Sequence, residues 1–309
     1  MAAPGSFFNI LFTVEIRRRL IMKKSTKNNL SAALFLLPYG ILYAVFMLWP
    51  VFKGAYVSFY KWNLMGKIRF VGFTNYAKII QDKAFWESLG HSALFALVTT
   101  PLFIIVGFLL ALICNRETHL KKFYRMAFFV PFVLSVSVIS YIAVFTFQAK
   151  NGLISQLIHL FGGQKEPYWL SNPVLAWFVI ILITLWWTAG FNMILYLAAM
   201  QDVPDELYEA ADIDGASGLR KVFSITIPMI NPTTKMLILL QIISSFKLFG
   251  QPYMITEGGP GSATRPIIEY IYEIGFKNNN LGYASAMSFI LFLVLSLITV
   301  VQFKVTEES

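Results

Sequence analysis

Hydrophobic and polar positions alternate along this chain on a long scale: six apolar runs, separated by more polar stretches of unequal length. With ~20 apolar residues needed to cross a bilayer, the runs predict spans at about 30–52, 92–114, 126–147, 174–200, 232–251 and 281–303. Their interiors hold almost no charge. Lys235 and Lys247 are the exceptions, near opposite ends of the fifth run, where long side chains can snorkel to the interface. Pro38, Pro101 and Pro131 lie inside runs, which membrane helices tolerate. The pattern predicts an all-α integral membrane protein with about six transmembrane helices.

Composition supports this reading. Of 309 residues, 57% are hydrophobic and 13% charged, against roughly a quarter charged in an average soluble domain. The net charge of +9 sits in clusters beside apolar runs and not along a nucleic-acid-binding face. Arg17, Arg18, Arg19, Lys23, Lys24 and Lys27 precede the first run. Arg116, Lys121, Lys122 and Arg125 separate the second and third. Such clusters read as orientation signals and lipid-headgroup contacts, so no nucleic-acid partner is expected. They place both flanks in the cytoplasm, although the long segment 53–91 also carries six Lys or Arg. Alternation then puts the 201–224 loop and the C-terminus on the same side. The chain divides into a basic N-terminal segment 1–29 (within which Met22 offers a second start), a transmembrane domain 30–303 and a tail 304–309.

The most informative polar stretch is 204–232, P-D-E-L-Y-E-A-A-D-I-D-G-A-S-G-L-R-K-V-F-S-I-T-I-P-M-I-N-P. Pro204 suits a first helical position, and Asp205 and Glu206 complement the helix dipole. Glu209, Ala210 and Ala211 continue a short helix that Asp214-Gly215 stops, since Gly accepts a positive φ. A second short segment over 219–224 leads to Pro228. The small Ala-Ala pair allows a partner's backbone to approach closely, beside one carboxylate. Read alone, this is an amphipathic loop helix between two spans.

Glu209-Ala210-Ala211, Gly215, then Ile225, Ile227 and Pro228, resembles the E-A-A…G…I-x-L-P loop of ABC importer permeases, with Ile227 in place of the usual Leu. Residues 70–92, 129–135, 187–209 and 258–288 resemble the carbohydrate branch, the maltose-permease-like subunits, so the likeness covers about 30–303. It implies a type I importer permease fold in which the loop is a cytoplasmic coupling helix docked on an ATPase. The coupling residues would be Glu209, Ala210, Ala211, Asp214, Gly215, Ile225 and Pro228. The implied partners are an ATP-binding subunit dimer, a second permease, an extracytoplasmic solute-binding protein and a sugar. ATP and Mg would be held by the ATPase, with no cofactor in this chain.

Nothing in the sequence suggests catalysis. No phosphate-binding G-x-x-x-x-G-K-[ST] occurs, and His91, His119 and His159 are dispersed without metal-ligand spacing. A substrate path is sought on the spans flanking the loop. Thr184, Trp187, Thr188 and Phe191 follow i, i+3, i+4, i+7, with Asn192 one turn beyond Thr188. Gln241, Ser244 and Ser245 have similar spacing on the fifth span. Aromatic faces beside neutral hydrogen-bonding groups suit a polyhydroxylated ligand, although such residues also serve helix packing. Val179 and Ile183 are expected on an opposite, insensitive face. The absence of a mid-span Arg or Lys argues mildly against an anionic solute. Two other functions fit a six-span chain, an ion-coupled secondary transporter and a membrane scaffold. A permease for a non-sugar solute such as a glycerol phosphate is a further alternative. A coupling-ion carboxylate within a span is not evident.

Overall fold

The computed structural model describes residues 34–116, 118–163 and 168–307. The expected N-terminal segment with its basic cluster, the start of the first span and the last two residues of the tail lie outside them. Four helices are long and apolar enough to cross a membrane, and two bent pairs bring the total to as many as six.

The first, α1, spans Leu34–Ser58. A π-helical turn over Ala44–Leu48 falls just before Pro50, and a second, over Val222–Thr226, just before Pro228. Proline supplies no N–H to the helical ladder. In both places the residue just past the turn bonds five back, Trp49 to Ala44 and Ile227 to Val222.

The remainder forms a helical bundle with one addition to the expected all-α plan. An antiparallel hairpin pairs β1 (Tyr60–Asn63) with β2 (Gly66–Phe70). Helix α2 (Thr74–Gln81) follows it. Asn75 Nδ2 donates to the carbonyls of Ser58 (2.8 Å) and Tyr60 (3.2 Å), anchoring the hairpin to α2. The second span, α3, runs Lys83–Asn115 and starts nine residues before the apolar run does. Asp82 caps it, accepting from the Phe85 N–H at 3.2 Å, and this satisfies an orphan donor that hydropathy does not register.

The third span is two helices, α4 (Lys121–Val133) and α5 (Val136–Phe147), bent by 96°. Leu134 and Ser135 are extended at the break. After α6 (Leu153–Leu160), the fourth span α7 (Pro173–Gln201) is continuous. Then come α8 (Asp205–Ile213), α9 (Gly218–Met229) and α10 (Asn231–Phe246), the last two bent by 67°. The expected fifth span thus ends at Phe246, short of Gln251. The chain re-enters a short helix, α11 (Gly250–Ile255), and reaches Ile267–Tyr272, which we call α12, before the last span α13 (Leu281–Glu307).

Lipid tails are as apolar as leucine, so spans associate through close packing of small residues and buried hydrogen bonds. Gly190 of α7 lies under the Phe128 carbonyl of α4, and a Cβ at Gly107 of α3 would come within 2.6 Å of Asn192 Cβ. Asn192 Nδ2 also reaches the Phe103 carbonyl of α3 at 3.5 Å. Val179 and Ile183 form no neutral outer face. They are 0% and 7% exposed, packed with Ile139, Ala143 and Phe147 of α5. The outward side of α7 carries Phe178, Leu182 and Trp186 instead.

The bundle has two ends. At one, Asp82 Oδ2 accepts from both Tyr270 and Tyr283 hydroxyls at 2.8 Å, and Ser92 Oγ accepts from the Ile267 N–H at 2.9 Å. Trp177 Nε1 donates to the Ala263 carbonyl there. This rim ties the starts of α3, α7 and α13 together. At the other end, Arg125 bonds the Cys114 carbonyl at 3.2 Å, and α8 and α9 project. Gly190→Ala should force α4 and α7 apart, at about 1–3 kcal/mol for an overpacked contact. The detergent-solubilised variant should unfold at a lower temperature, whereas Leu182→Ala on the outward side should not.

Candidate functional site

Two sites are built on the elements around α8. The first is a cavity of about 560 Å³ between α7 and α10. All eight residues expected on the path line it: Thr184, Trp187, Thr188, Phe191 and Asn192 from α7, and Gln241, Ser244 and Ser245 from α10. They differ in availability. Ser245 is 1% exposed and its Oγ lies 3.2 Å from Thr99 Oγ1 of α3, so it joins two spans. Gln241 Nε2 reaches Ser245 Oγ at 3.3 Å. Thr184 and Thr188 donate to the carbonyls of Ile180 and Thr184 at 2.6 and 2.8 Å, which leaves their hydroxyl oxygens as acceptors. Ser244 is exposed and Asn192 buried.

Trp187 has a second duty that helical spacing does not reveal. Its Nε1–H donates at 3.1 Å to the Leu134 carbonyl, where α4 and α5 part. A broken span must satisfy its freed backbone groups internally, and this indole does so while its ring remains at the cavity wall. Phe132 completes the aromatic wall, stacked on Phe191 at 4.9 Å and tilted against Trp187 at 6.3 Å. The sequence reading passed over Phe132; its position beside Pro131, an aromatic next to a helix breaker, was the available signal. It also passed over Phe249, Gln251 and the cavity-lining role of Lys247. Lys247 follows the last residue of α10 and lines the cavity, in place of the interfacial snorkel expected from its position in the run.

The second site is the loop at the opposite end of α7. Pro204 flanks α8 as its N-cap, one position earlier than expected, and the helix begins at Asp205. Gly215, at φ 71°, ends it: its N–H bonds the Asp212 carbonyl (3.0 Å) and the Ala216 N–H the Ala211 carbonyl (2.8 Å). These two bonds define a Schellman stop. Ala210, Ala211, Asp214 and Ile225 share one concavity of about 360 Å³, with Leu207 at its wall. Glu209 and Gly215 stand exposed outside that group, as does Pro228 on α9. Beside them Ile213, an apolar residue that the sequence pattern did not single out, is 88% exposed. Lys221 pairs with Asp212, and the Tyr208 and Thr226 hydroxyls lie 3.0 Å apart. These contacts fasten α8 to α9.

The exposed α8 is thus fastened to α9, in the loop between the two spans that line the cavity. Residues 103–306 match the family described as the binding-protein-dependent transport system inner membrane component. The chain belongs to that family. It is 31% identical over 284 residues to the sulfoquinovosyl glycerol transport system permease protein SmoG of Agrobacterium fabrum, covering 91% of this chain and 92% of the relative. It is 30% identical over 287 residues to the probable starch degradation products transport system permease protein AmyD of Thermoanaerobacterium thermosulfurigenes, covering 92% and 97%. A bacterial ABC transporter that imports alginate has a chain of the same fold, with TM-score 0.83, 22% identity and 93% and 98% coverage. The permease is therefore a multi-pass membrane component of a transport system. Among its described residues no cluster of three His, Cys, Asp or Glu is arranged to hold a metal.

At the rim of the permease, outside the spans, Glu269 of α12 is 0% exposed and neither carboxylate oxygen has a hydrogen-bond partner among the described residues. Arg265 is committed to Glu273 at 3.0 Å. Burial, aided by the Glu273 charge, raises the Glu269 carboxyl to about 8, with Lys277 and Arg265 opposing. The unfolded carboxyl titrates near ~4.3, so between that value and about 8 the folded state keeps a proton that the unfolded state has lost. Stability should fall as pH rises through this window and level off above it. Glu269→Gln should flatten the dependence, which unfolding midpoints at pH 6 and 8.5 will measure.

Trp187→Phe should keep the aromatic wall but orphan the Leu134 carbonyl, at about 1–3 kcal/mol. Amide exchange over 134–138 should then accelerate. Gln241→Ala should leave that exchange unchanged.

Proposed function

We propose that this chain is the membrane-spanning, non-enzymatic half of an ATP-driven importer for a sugar or oligosaccharide. What carries the reading is the convergence of eight aromatic and neutral hydrogen-bonding residues from α7 and α10 on one cavity, with the exposed α8 loop joining those same helices. The permeases for sulfoquinovosyl glycerol and starch degradation products support a carbohydrate. A lining free of carboxylates gives no support to an ion-coupled carrier, which would need a coupling-ion site.

In this reading the 201–224 loop and both termini face the cytoplasm of a bacterial inner membrane, and residues 30–303 form the permease domain. A second permease subunit completes the path, and a solute-binding protein delivers the sugar to the rim end. An ATPase dimer holds ATP and Mg and receives the loop through Glu209, the Ala210–Ala211 pair and Ile213. Its closure on ATP is transmitted as a rigid-body tilt of α9 and α10, which alternates access to the cavity. Thr188, Phe191, Gln241 and Ser244 contact solute, whereas Ser245 and Asn192 hold the spans that shape the wall.

Glu209→Ala removes a charge-assisted contact, and Gly215→Val forces a branched side chain into a positive φ that only the Schellman stop requires. Each should lower recovery of the ATPase with the tagged, membrane-inserted chain about tenfold, the effect of ~1.4 kcal/mol. Normal recovery and normal solute uptake in both variants would refute the docking role.

A further inference from the structure

Among the nineteen residues that line the cavity, Lys247 alone carries a charge. It is exposed, and its ammonium has no hydrogen bond, ion pair or ring contact among the described residues. At the rim, by contrast, Arg265 and Lys277 both pair with Glu273. The position of Lys247 follows from the fold. Its own N–H bonds the Ile243 and Ser244 carbonyls and closes α10, and the chain then turns into α11. α10 is sixteen residues long, or about 24 Å at 1.5 Å per residue. Lys247 therefore stands far from the α8 loop, at the cavity end that a solute from the rim meets first.

A cation beside a C-terminal helix end also complements the helix dipole, and that role alone would place it equally well against lipid headgroups. Its presence in the lining is what a dipole role leaves unexplained. An ammonium in a concave, mostly apolar wall attracts anions more strongly than one in open water, because the walls restrict solvent screening. Around it stand groups suited to hydroxyls and sugar faces: Gln241, Ser244 and Gln251, with Phe249 and Phe132. No carboxylate in the lining competes for it.

We propose that Lys247 is a specificity-determining residue that selects anionic saccharides, solutes bearing a carboxylate, sulfonate or phosphate on a polyhydroxylated body. This rests on the importer reading above and narrows its substrate class. It also reverses the expectation, drawn from span interiors alone, that an anionic solute is disfavoured. The shared chemistry is one negative charge presented to the ammonium while hydroxyls meet Gln241 and Ser244.

The test uses the intact importer, with its companion subunits, in cells carrying wild type, Lys247→Gln, Lys247→Glu or Lys247→Arg. Uptake is measured for maltotetraose as the neutral probe, and for tetragalacturonate, a hexose sulfonate and a hexose phosphate as the acidic ones. The expected result is energy-dependent uptake of at least one acidic probe. Its KM should rise about tenfold in Lys247→Gln and more in Lys247→Glu, and recover in Lys247→Arg. Raised ionic strength should weaken wild-type uptake of that probe. Neutral uptake, where present, should fall much less in Lys247→Gln than acidic uptake does. The three acidic arms identify which anion is taken. Energy-dependent uptake of the neutral probe alone, or acidic uptake indifferent to Lys247→Gln, overturns the selectivity while leaving the importer reading in place. A fall of neutral and acidic uptake together marks a structural role only and overturns it as well. Absence of uptake of every probe, neutral included, overturns both readings.

Discussion

A backbone carbonyl in the hydrocarbon layer must find a donor within the protein, and the architecture around the cavity depends on how this is met. The chain breaks its third span at Leu134 and ends α10 at Phe246, well before the apolar run is exhausted. Such interruptions are tolerated only where protein or a wet cavity covers them. Trp187 covers the first with its indole N–H. At the second, the Lys247 amide closes the helix onto its own carbonyls, and the adjoining Gly250 sits so close to Val136 that a Cβ would lie 2.8 Å from Cγ2. The two breaks thus meet across the cavity. One wall is aromatic because a broken helix needs an indole there, and one end is cationic because another helix stops there.

Rigidity around the cavity comes from close contact and not from apolarity. Gly107 and Gly190 bring α3, α4 and α7 within backbone distance, and Thr99, Ser245 and Gln241 form a short hydrogen-bonded chain between α3 and α10. Buried polar groups of this kind hold one rotational setting of each helix, since a rotated helix would strand them in hydrocarbon. At the rim, Asp82 joins three elements through two tyrosine hydroxyls. At the other end, the Lys221–Asp212 pair and the Tyr208–Thr226 contact weld α8 to α9. These contacts tie α8 to the helix that leads into α10, which carries Gln241 and Ser244. α9 and α10 meet at Met229–Asn231 with a bend of 67°.

Much of this was written in local patterns. Hydropathy over ~20 residues locates an apolar run whatever its neighbours do, so the segments that form the four long helices and the two bent pairs were legible before any contact was known. The helix stop at Gly215 was legible because a positive φ is a property of one residue and its turn. The i, i+3, i+4, i+7 face of α7 was legible because helical period alone puts Thr184, Trp187, Thr188 and Phe191 on one side. Hydropathy could not show where a run of apolar residues ceases to be one helix, and so it missed the breaks at Leu134 and Phe246 and the early start of α3 at Lys83.

What only the tertiary structure decided is which face meets which. In a bilayer, lipid and protein surroundings are equally apolar, so an apolar side chain does not announce its neighbour. Val179 and Ile183 looked like an idle face and are packed core, while Phe178 and Leu182 take the outer side. Trp187 serves a carbonyl 53 residues away, and Glu269 loses its water beneath a turn whose Gly258 is pressed against it. Lys247 reads as interfacial from its place in a run and becomes part of a cavity because α10 ends there. Partners distant in sequence are invisible to any local pattern, and the sites are made of them.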